Sequence, residues 1–453
     1  MVIKNDKDIL FKSIEEIGGL YRSKELSPVE VMEATLDHLN DSEPKLNAFI
    51  TVMAEDALKK AKEAETSFVK GETVGKLHGI PVSIKDIFMT KGIKTTMGSR
   101  ILNDYIPEED SDLYTTLNQT GAIIFGKANL LEFAYGSVHP DYGQCNNPWD
   151  INRTAGGSSN GSASSIAAGI GFASFGTDTG GSIRLPASFC GIVGLKPTYD
   201  TISRKGLFPL SDSLDHIGPL TRTVRDNAIV MEPFLNKDLN YESIFSGSIK
   251  GLKIGVIRSL TDSITDPEVS QVVGSSLKIL SDLGAEVVSI DIPGVDKALE
   301  IAFPILLSEA SHYHKEWYPK YADDYAKGTL LNVKEGFNIT AVKFLEAVQK
   351  KKEFANKVNA TFSDVDLLVC PTSPCPATET DPSFEDTSYD FTQRTIPFNV
   401  SGNPALNVSA GLTSADRLPV GLQFIGRYYD EATIYRVADA FQVAIGGFTK
   451  PTF

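Results

Sequence analysis

Residues 154–188 bring two glycine–serine turns close together, beginning TAGGSSNGSASS and ending GTDTGGSIRLPAS. A hydroxyl set beside glycines is open to an approaching carbonyl group, since glycine has no Cβ to block the way. Serine in such a place becomes a nucleophile only when a nearby base draws off its proton. The type of base the chain supplies therefore decides what chemistry the segment can do.

Histidine is the first base to consider. The six histidines are His38, His78, His139, His216, His312 and His314. None lies in an H-E-x-x-H or H-x-E…C-x-x-C pattern, so no metal is expected. The glycine-rich run lacks a Walker ending, and no G-x-G-x-x-G follows a strand, so no nucleotide cofactor is expected either. The string GSSNG at residues 157–161 fits G-x-S-x-G with Ser159 at its centre. A nucleophile elbow needs a hydrophobic strand just before it, whereas NNPWDINRTA is polar and contains a proline. His216, His312 and His314 satisfy only the chain order of an acid–histidine pair.

Lysine is the other option, provided it is neutral. Lys85 sits in GIPVSIKDIF, an apolar, strand-like run where an ammonium is costly. Bringing a lysine to neutrality takes ~3 pKa units, or ~4 kcal/mol, which burial can supply. The same residue could instead pair with Asp86 at a strand end, and residue type alone leaves both roles open.

The elements that must position these groups alternate between helix and strand. Residues 7–41 and 54–69 are mainly helical, with Ser27 as N-cap, Pro28 at N1 and Glu30 at N3 of one helix. GIPVSIKDIF gives a strand, AIIFGKANLLEFAYG a strand, turn and helix start, and FASFGTDTGGS a strand ending in a tight turn. Residues 162–174 are nearly all small and permit a closely packed helix, whose free N–H end would lie at Ser158 to Asn160. Beyond Asp226 come strands at LKIGVIR and EVVSIDI and helices at 267–283, 297–317 and 341–362. Three late strands (366–376, 405–410, 418–425) and a closing helix (430–444) could complete the sheet begun early. The expectation is an α/β protein: one large domain with a central mixed β-sheet covered by helices.

Composition bounds the function. A chain of 453 residues with 42% hydrophobic content can bury a large core without metals or disulfides. Its formal net charge of −15 argues against broad attraction to nucleic acid or anionic membranes. Cys145, Cys190, Cys370 and Cys375 form no C-x-x-C pair and are expected to be buried thiols in a reducing compartment. No run approaches the ~18 apolar residues of a membrane span, and the N-terminus lacks a secretory h-region, so a cytoplasmic protein is expected.

Three segments carry a specific resemblance: GIPVSIKDIF, NPWDINRTAGGSSNGSASSIAAG and GTDTGGSIRLPASFCGIVGLKPT. Together they resemble the amidase signature family, whose members use a Ser–cis-Ser–Lys triad. Weaker similarity continues through DVDLLVCPTSPCPA, TIPFNVSGNPAL and LPVGLQFIGR. The resemblance implies one domain over residues 1–453: a helical arm (1–70), the signature core (77–226), a helical and α/β elaboration (227–365) and closing strands and helix (366–453). It implies Ser182 as nucleophile, Ser158 as bridging serine after a cis peptide, and Lys85 as the ultimate base. The spacing of 24 residues from Ser158 to Ser182 matches the family.

The amides of Thr179, Gly180, Gly181 and Ser182 are the expected oxyanion hole. Asp178 and Arg184 are expected to form a buried ion pair that fixes the loop, and Ser159 to hydrogen-bond within the relay. Asn160 stands where the family usually has glycine; asparagine tolerates a left-handed conformation, so the turn need not break.

The implied reaction is amide hydrolysis, with esters or carbamates as side substrates, no cofactor, and a small-molecule amide as partner. Direct nucleic-acid and membrane partners are not expected, and homo-oligomerisation is left open. Leu131, Phe133, Tyr135 and Phe391 are the expected pocket residues, with Tyr142 or Trp149 near its entrance. Glutaminase subunits of tRNA-dependent amidotransferases carry an acid before the T-I-P run; here Thr392 occupies that place in SYDFTQRTIPF, and the helical 325–350 region shows no match to their carboxylate-binding arginine. A stand-alone amidase is thus favoured. The alternatives are the glutaminase component of such an amidotransferase, a Ser–His–Asp hydrolase using Ser159, and a non-catalytic scaffold.

Overall fold

Short runs buried at every position set the architecture. PVSIK, IIFGKA, ASFGTD, LLVCP and PVGLQFI are strands with no exposed residue, and a strand buried on both faces must lie in a sheet covered on both sides. The computed structural model describes residues 7–235, 240–264, 266–381 and 391–453. Its strands are β1 (Phe49–Val52), β2 (Pro81–Lys85), β3 (Ile123–Ala128), β4 (Asn146–Asn147), β5 (Asp150–Thr154), β6 (Ala173–Asp178), β7 (Val193–Lys196), β8 (His216–Thr221), β9 (Lys253–Ile257), β10 (Glu286–Ile290), β11 (Leu367–Pro371), β12 (Ala405–Leu412) and β13 (Pro419–Ile425).

Eleven of the described strands form one sheet in the order β1-β3-β2-β6-β8-β7-β12-β13-β11-β9-β10. β3, β2 and β6 are parallel, as are β11, β9 and β10, with antiparallel pairs between these two blocks. The sheet is mixed, and strands from both ends of the chain share it. This is the α/β architecture expected from the alternation of elements.

Local chemistry explains the helix ends. The helix Pro28–Leu46 begins with a complete capping box between Ser27 and Glu30 and with proline at its first turn. The small-residue helix is shorter than expected, running Asn160–Ala167. Gly169 and Gly171 follow with φ of 83° and 85°, a left-handed turn that a helix cannot pass through. Arg222 Nη1 donates to the Ile166 and Gly171 carbonyls at 3.3 and 2.8 Å, and Ser174 lies in β6. The polar stretch NNPWDINRTA is not a plain loop but the β4–β5 hairpin.

The strand β8, HIGPLT, escapes periodicity because Gly218 and Pro219 interrupt its apolar pattern. The fold explains the glycine: a Cβ at 218 would stand 2.0 Å from the Leu195 carbonyl oxygen of neighbouring β7. Gly218→Ala should therefore cost about 1–3 kcal/mol through overpacking, measured as a lowered urea midpoint with unchanged slope.

Candidate active site

Adjacent strands β2 and β6 are parallel, so their carboxyl ends open on the same edge of the sheet, where α/β folds bind ligands. Lys85 closes β2 and Asp178 closes β6. Ile84 pairs with Phe175 in the register, which brings Lys85 alongside the last residues of β6. Its Nζ donates to Ser158 Oγ and to Thr177 Oγ1, each at 2.8 Å. The side chain is wholly buried, and that burial brings its pKa down to about 7 against the opposing charges of Asp215 and Asp178.

The alternative partner, Asp86, points elsewhere. Its carboxylate lies 3.2 Å from Lys127 Nζ and accepts from the Thr96 amide and hydroxyl at 2.8 and 2.7 Å. Lys85 is thus left without a contacting carboxylate among the described residues, and its neutral form is not opposed by an ion pair.

The peptide bond Gly157-Ser158 is cis. Ser159 does not point into the relay. Its hydroxyl donates to the Thr177 carbonyl (3.2 Å) and accepts from the Thr177 amide (3.3 Å), because the backbone end of β6 faces it. That engagement, and the partly exposed hairpin strand β5 before the turn, also removes the basis for an elbow at Ser159. Asn160 needs no left-handed backbone: it opens the helix Asn160–Ala167 in ordinary geometry, and its Oδ1 accepts from Gly161 N at 2.9 Å.

The second glycine turn is held by a buried ion pair. Burial alone would raise the Asp178 carboxyl; the Arg184 guanidinium beside it and Asn399 overcome that and hold it well below the usual range. Arg184 Nε and Nη2 each donate to Asp178 at 2.9 Å, and both side chains are fully buried. The same carboxylate accepts from Gly181 N at 2.8 Å. Gly181 is therefore not a free donor as expected for the oxyanion hole. The amides of Thr179, Gly180 and Ser182 have no partner among the described residues. Gly181 is required for shape instead: its φ is 136°, and a Cβ there would meet Thr395 Oγ1 at 2.3 Å.

Ser158, Gly180, Gly181 and Ser182 line a cleft of about 110 Å³. Ser158 is almost closed off, whereas Ser182 is partly exposed and its hydroxyl has no hydrogen bond among the described residues, including none to Ser158. Leu131, Tyr135 and Phe391 are on the cleft wall as expected. Phe133 is not. Phe133 and Ala134 have φ of 53° and 58°, which turns the Phe133 ring behind the cleft into a cluster with Phe208, His314, Trp317 and Tyr325. Tyr142 and Trp149 are also absent from the wall; they bond to the Ser99 and Cys190 carbonyls.

Residues that sequence reasoning missed include Thr177, Thr392 as a wall residue, and Phe303 and Leu306 from the helix Ala298–His314. Thr177 stood in plain sight two residues before Thr179; the helix residues carried no signal, being distant in the chain. A larger groove of about 710 Å³ beside the helix Ile14–Ser23 includes none of Lys85, Ser158 and Ser182. Among the described residues no His, Cys, Asp or Glu cluster is arranged to hold a metal, and no helix is long and apolar enough to cross a membrane.

The chain is similar to known proteins over nearly its whole length. A family model described as Amidase matches residues 30–435. The chain is 37% identical to the A subunit of the glutamyl-tRNA(Gln) amidotransferase of Heliobacterium modesticaldum, covering 97% of this chain and 98% of the relative. In structure it resembles the corresponding A subunit from Thermotoga maritima, with a TM-score of 0.80 and 31% identity over 98% of both chains. The peptide amidase of Stenotrophomonas maltophilia superposes with a TM-score of 0.86 at 26% identity, again over 98% of both.

Removing the guanidinium from the second turn would leave Asp178 charged and buried. Arg184→Met is expected to lose about 3–5 kcal/mol of stability, measured by denaturant unfolding.

Proposed function

Since the chain belongs to the amidase family and is an amidohydrolase of linear amides, we propose that it works through an acyl-enzyme on Ser182, with Ser158 and neutral Lys85 as the proton relay. The observation that carries this reading is the 2.8 Å bond from Lys85 Nζ to Ser158 Oγ, made by a lysine whose pKa burial brings down to about 7. Lys85 draws the proton of Ser158 as Ser158 takes that of Ser182, and the Ser182 oxygen adds to the amide carbonyl. The unpaired amides of Thr179, Gly180 and Ser182 receive the developing oxyanion. Collapse breaks the C–N bond, the proton returns through the relay to the leaving amine, and water later cleaves the ester. A closing of the gap between the Ser158 and Ser182 hydroxyls on substrate binding belongs to this reading, since catalytic hydrogen bonds often tighten only in the complex.

For the amide itself, whole-length likeness to the A subunits of amidotransferases supports glutamine as the ammonia donor, in an assembly with partner subunits and tRNA. That support is stronger than the support for a stand-alone amidase. One observation favours the second reading: every described residue on the cleft wall is uncharged, with Thr392 among them. The α-ammonium and α-carboxylate of glutamine would find no counter-ion there. Ser388, Tyr389 and Asp390, which precede this wall, lie outside the described residues. A cytoplasmic setting fits either reading, and all four cysteines are buried free thiols.

Ser182→Ala should lower amide hydrolysis by at least ~10³-fold and Lys85→Ala by ~10²–10⁴-fold, while Ser159→Ala retains activity; loss confined to Ser159→Ala would sink the assignment. Activity should rise with pH through about 7, since the relay needs Lys85 neutral. The substrate readings separate in a panel of glutamine, butyramide and benzamide. Ammonia release from glutamine that increases with co-purified partner subunits supports the amidotransferase role, and turnover of the uncharged amides by the chain alone supports the other.

A further inference from the structure

One buried carboxylate beside this site has no part in the relay. Asp215, just before β8, is 2% exposed. Its Oδ1 accepts from Thr179 Oγ1 at 2.6 Å, and its Oδ2 from the amides of Leu210 and Ser211 at 2.9 and 3.0 Å. Thr179 bears one of the unpaired amides, and Leu210 is on the cleft wall. Ser211 in turn donates to Glu309 of the helix Ala298–His314, which supplies Phe303 and Leu306 to the same wall. A single carboxylate therefore fastens the amide-bearing turn to the two segments that roof the cleft.

Its charge is also placed differently from its neighbours'. Asp178 is matched by Arg184 and Asp86 by Lys127. No cation contacts the Asp215 carboxylate among the described residues; Arg204 bonds to its main-chain carbonyl, at 3.4 Å, and acts on the carboxylate through charge alone. Asp178 pairs with His216 across β6 and β8, so Asp215 lies beside the end of β6, where Lys85 Nζ bonds to Thr177, and its charge acts on Lys85 together with that of Asp178.

We propose that Asp215 is a positioning residue of the acyl-transfer centre, tethering Thr179 and the Leu210 wall through its two oxygens and presenting its negative charge to Lys85. The inference rests on the Lys85–Ser158–Ser182 reading. Asp215 itself is pushed up to about 6 by burial, against the hydrogen bonds from Thr179, Ser211 and Leu210. The other charged or titratable groups around it include Lys85 of β2, Asp178 at the end of β6, His216 beside it on β8, Arg204, Asp212, and Glu309 and Tyr313 of the cleft helix. A negative charge favours protonated lysine, so its removal lets Lys85 stay neutral to lower pH.

A fluorescent fluorophosphonate ester tests this without knowledge of the substrate. Ser182 Oγ forms a bond to phosphorus, the P–F bond breaks, fluoride leaves, and the serine proton passes through Ser158 to Lys85. In Asp215→Asn the rising limb of inactivation rate against pH should move down by ~0.5–1 unit and the plateau fall roughly tenfold. Asp215→Glu, which keeps the charge, should restore the limb to its original position. A folded Asp215→Asn protein with an unmoved limb overturns the proposal. Should that variant not fold, Thr179→Val decides: it cuts the tether and keeps the charge, so slower inactivation with an unmoved limb is expected, and a wild-type rate overturns the proposal. Lys85→Ala reacting as fast as wild type would instead break the underlying relay reading; inert Lys85→Ala beside unaltered Asp215→Asn breaks this inference alone.

Discussion

The site depends on the desolvation of one lysine. Lys85 is enclosed at the end of β2 with two hydroxyls as its hydrogen-bond partners, Ser158 and Thr177. Asp215 and Asp178 act on it as charges, and Asp86 is its neighbour in the chain. Asp86 is taken up by Lys127 and Asp178 by Arg184, while Asp215 is held back by Thr179 and two amides. Burial lowers the proton affinity of Lys85 and the charges of Asp215 and Asp178 partly restore it, which leaves its pKa at about 7. A direct salt bridge would have made it a fixed cation with no capacity to accept a proton.

Around that lysine the protein brings distant parts of the chain together through Arg184. Its guanidinium holds Asp178 with one side and reaches the Thr395 carbonyl, Asn399 and Gln423 with the other. Asn399 returns to Asp178 as well. The second glycine turn, the short helix Pro397–Ser401 and β13 thus share one buried network. Such a network is stabilising only when every member is satisfied. The glycine at 181 belongs to it sterically, since the Thr395 hydroxyl fills the space a side chain would need.

The cleft combines a polar floor with an apolar wall. Ser158, Ser182 and the free amides occupy the floor, and Leu131, Leu185, Phe303, Leu306 and Ile396 the wall. Membership of the amidase family sets the class of bond that the protein acts on. The wall bears on which amide is held, and there the full-length kinship with the A subunits of amidotransferases and the uncharged lining point in different directions.

Much of the chemistry was legible in one dimension because it resides in local strings. GTDTGGS and AGGSSNGS are contiguous, and a lysine within GIPVSIK is unusual enough in a strand to be noticed. The α/β class followed from alternating patterns, and the buried Asp178–Arg184 pair from charges flanking a glycine turn. Other features depended on contacts that no local string contains. Asp86 and Lys127 are on neighbouring strands, and only their pairing removed the competing partner of Lys85. Phe133 left the cleft because two successive left-handed residues turned its ring away. Gly181 lost its free amide to a carboxylate three residues earlier, and Ser159 turned its hydroxyl to the end of β6. The sequence by itself determined the reactive residue types, their order and the periodicity of the elements carrying them. Only the tertiary structure decided which amides stay free, which charges are cancelled and which side chains line the cleft, because each is settled by distances between segments far apart in the chain.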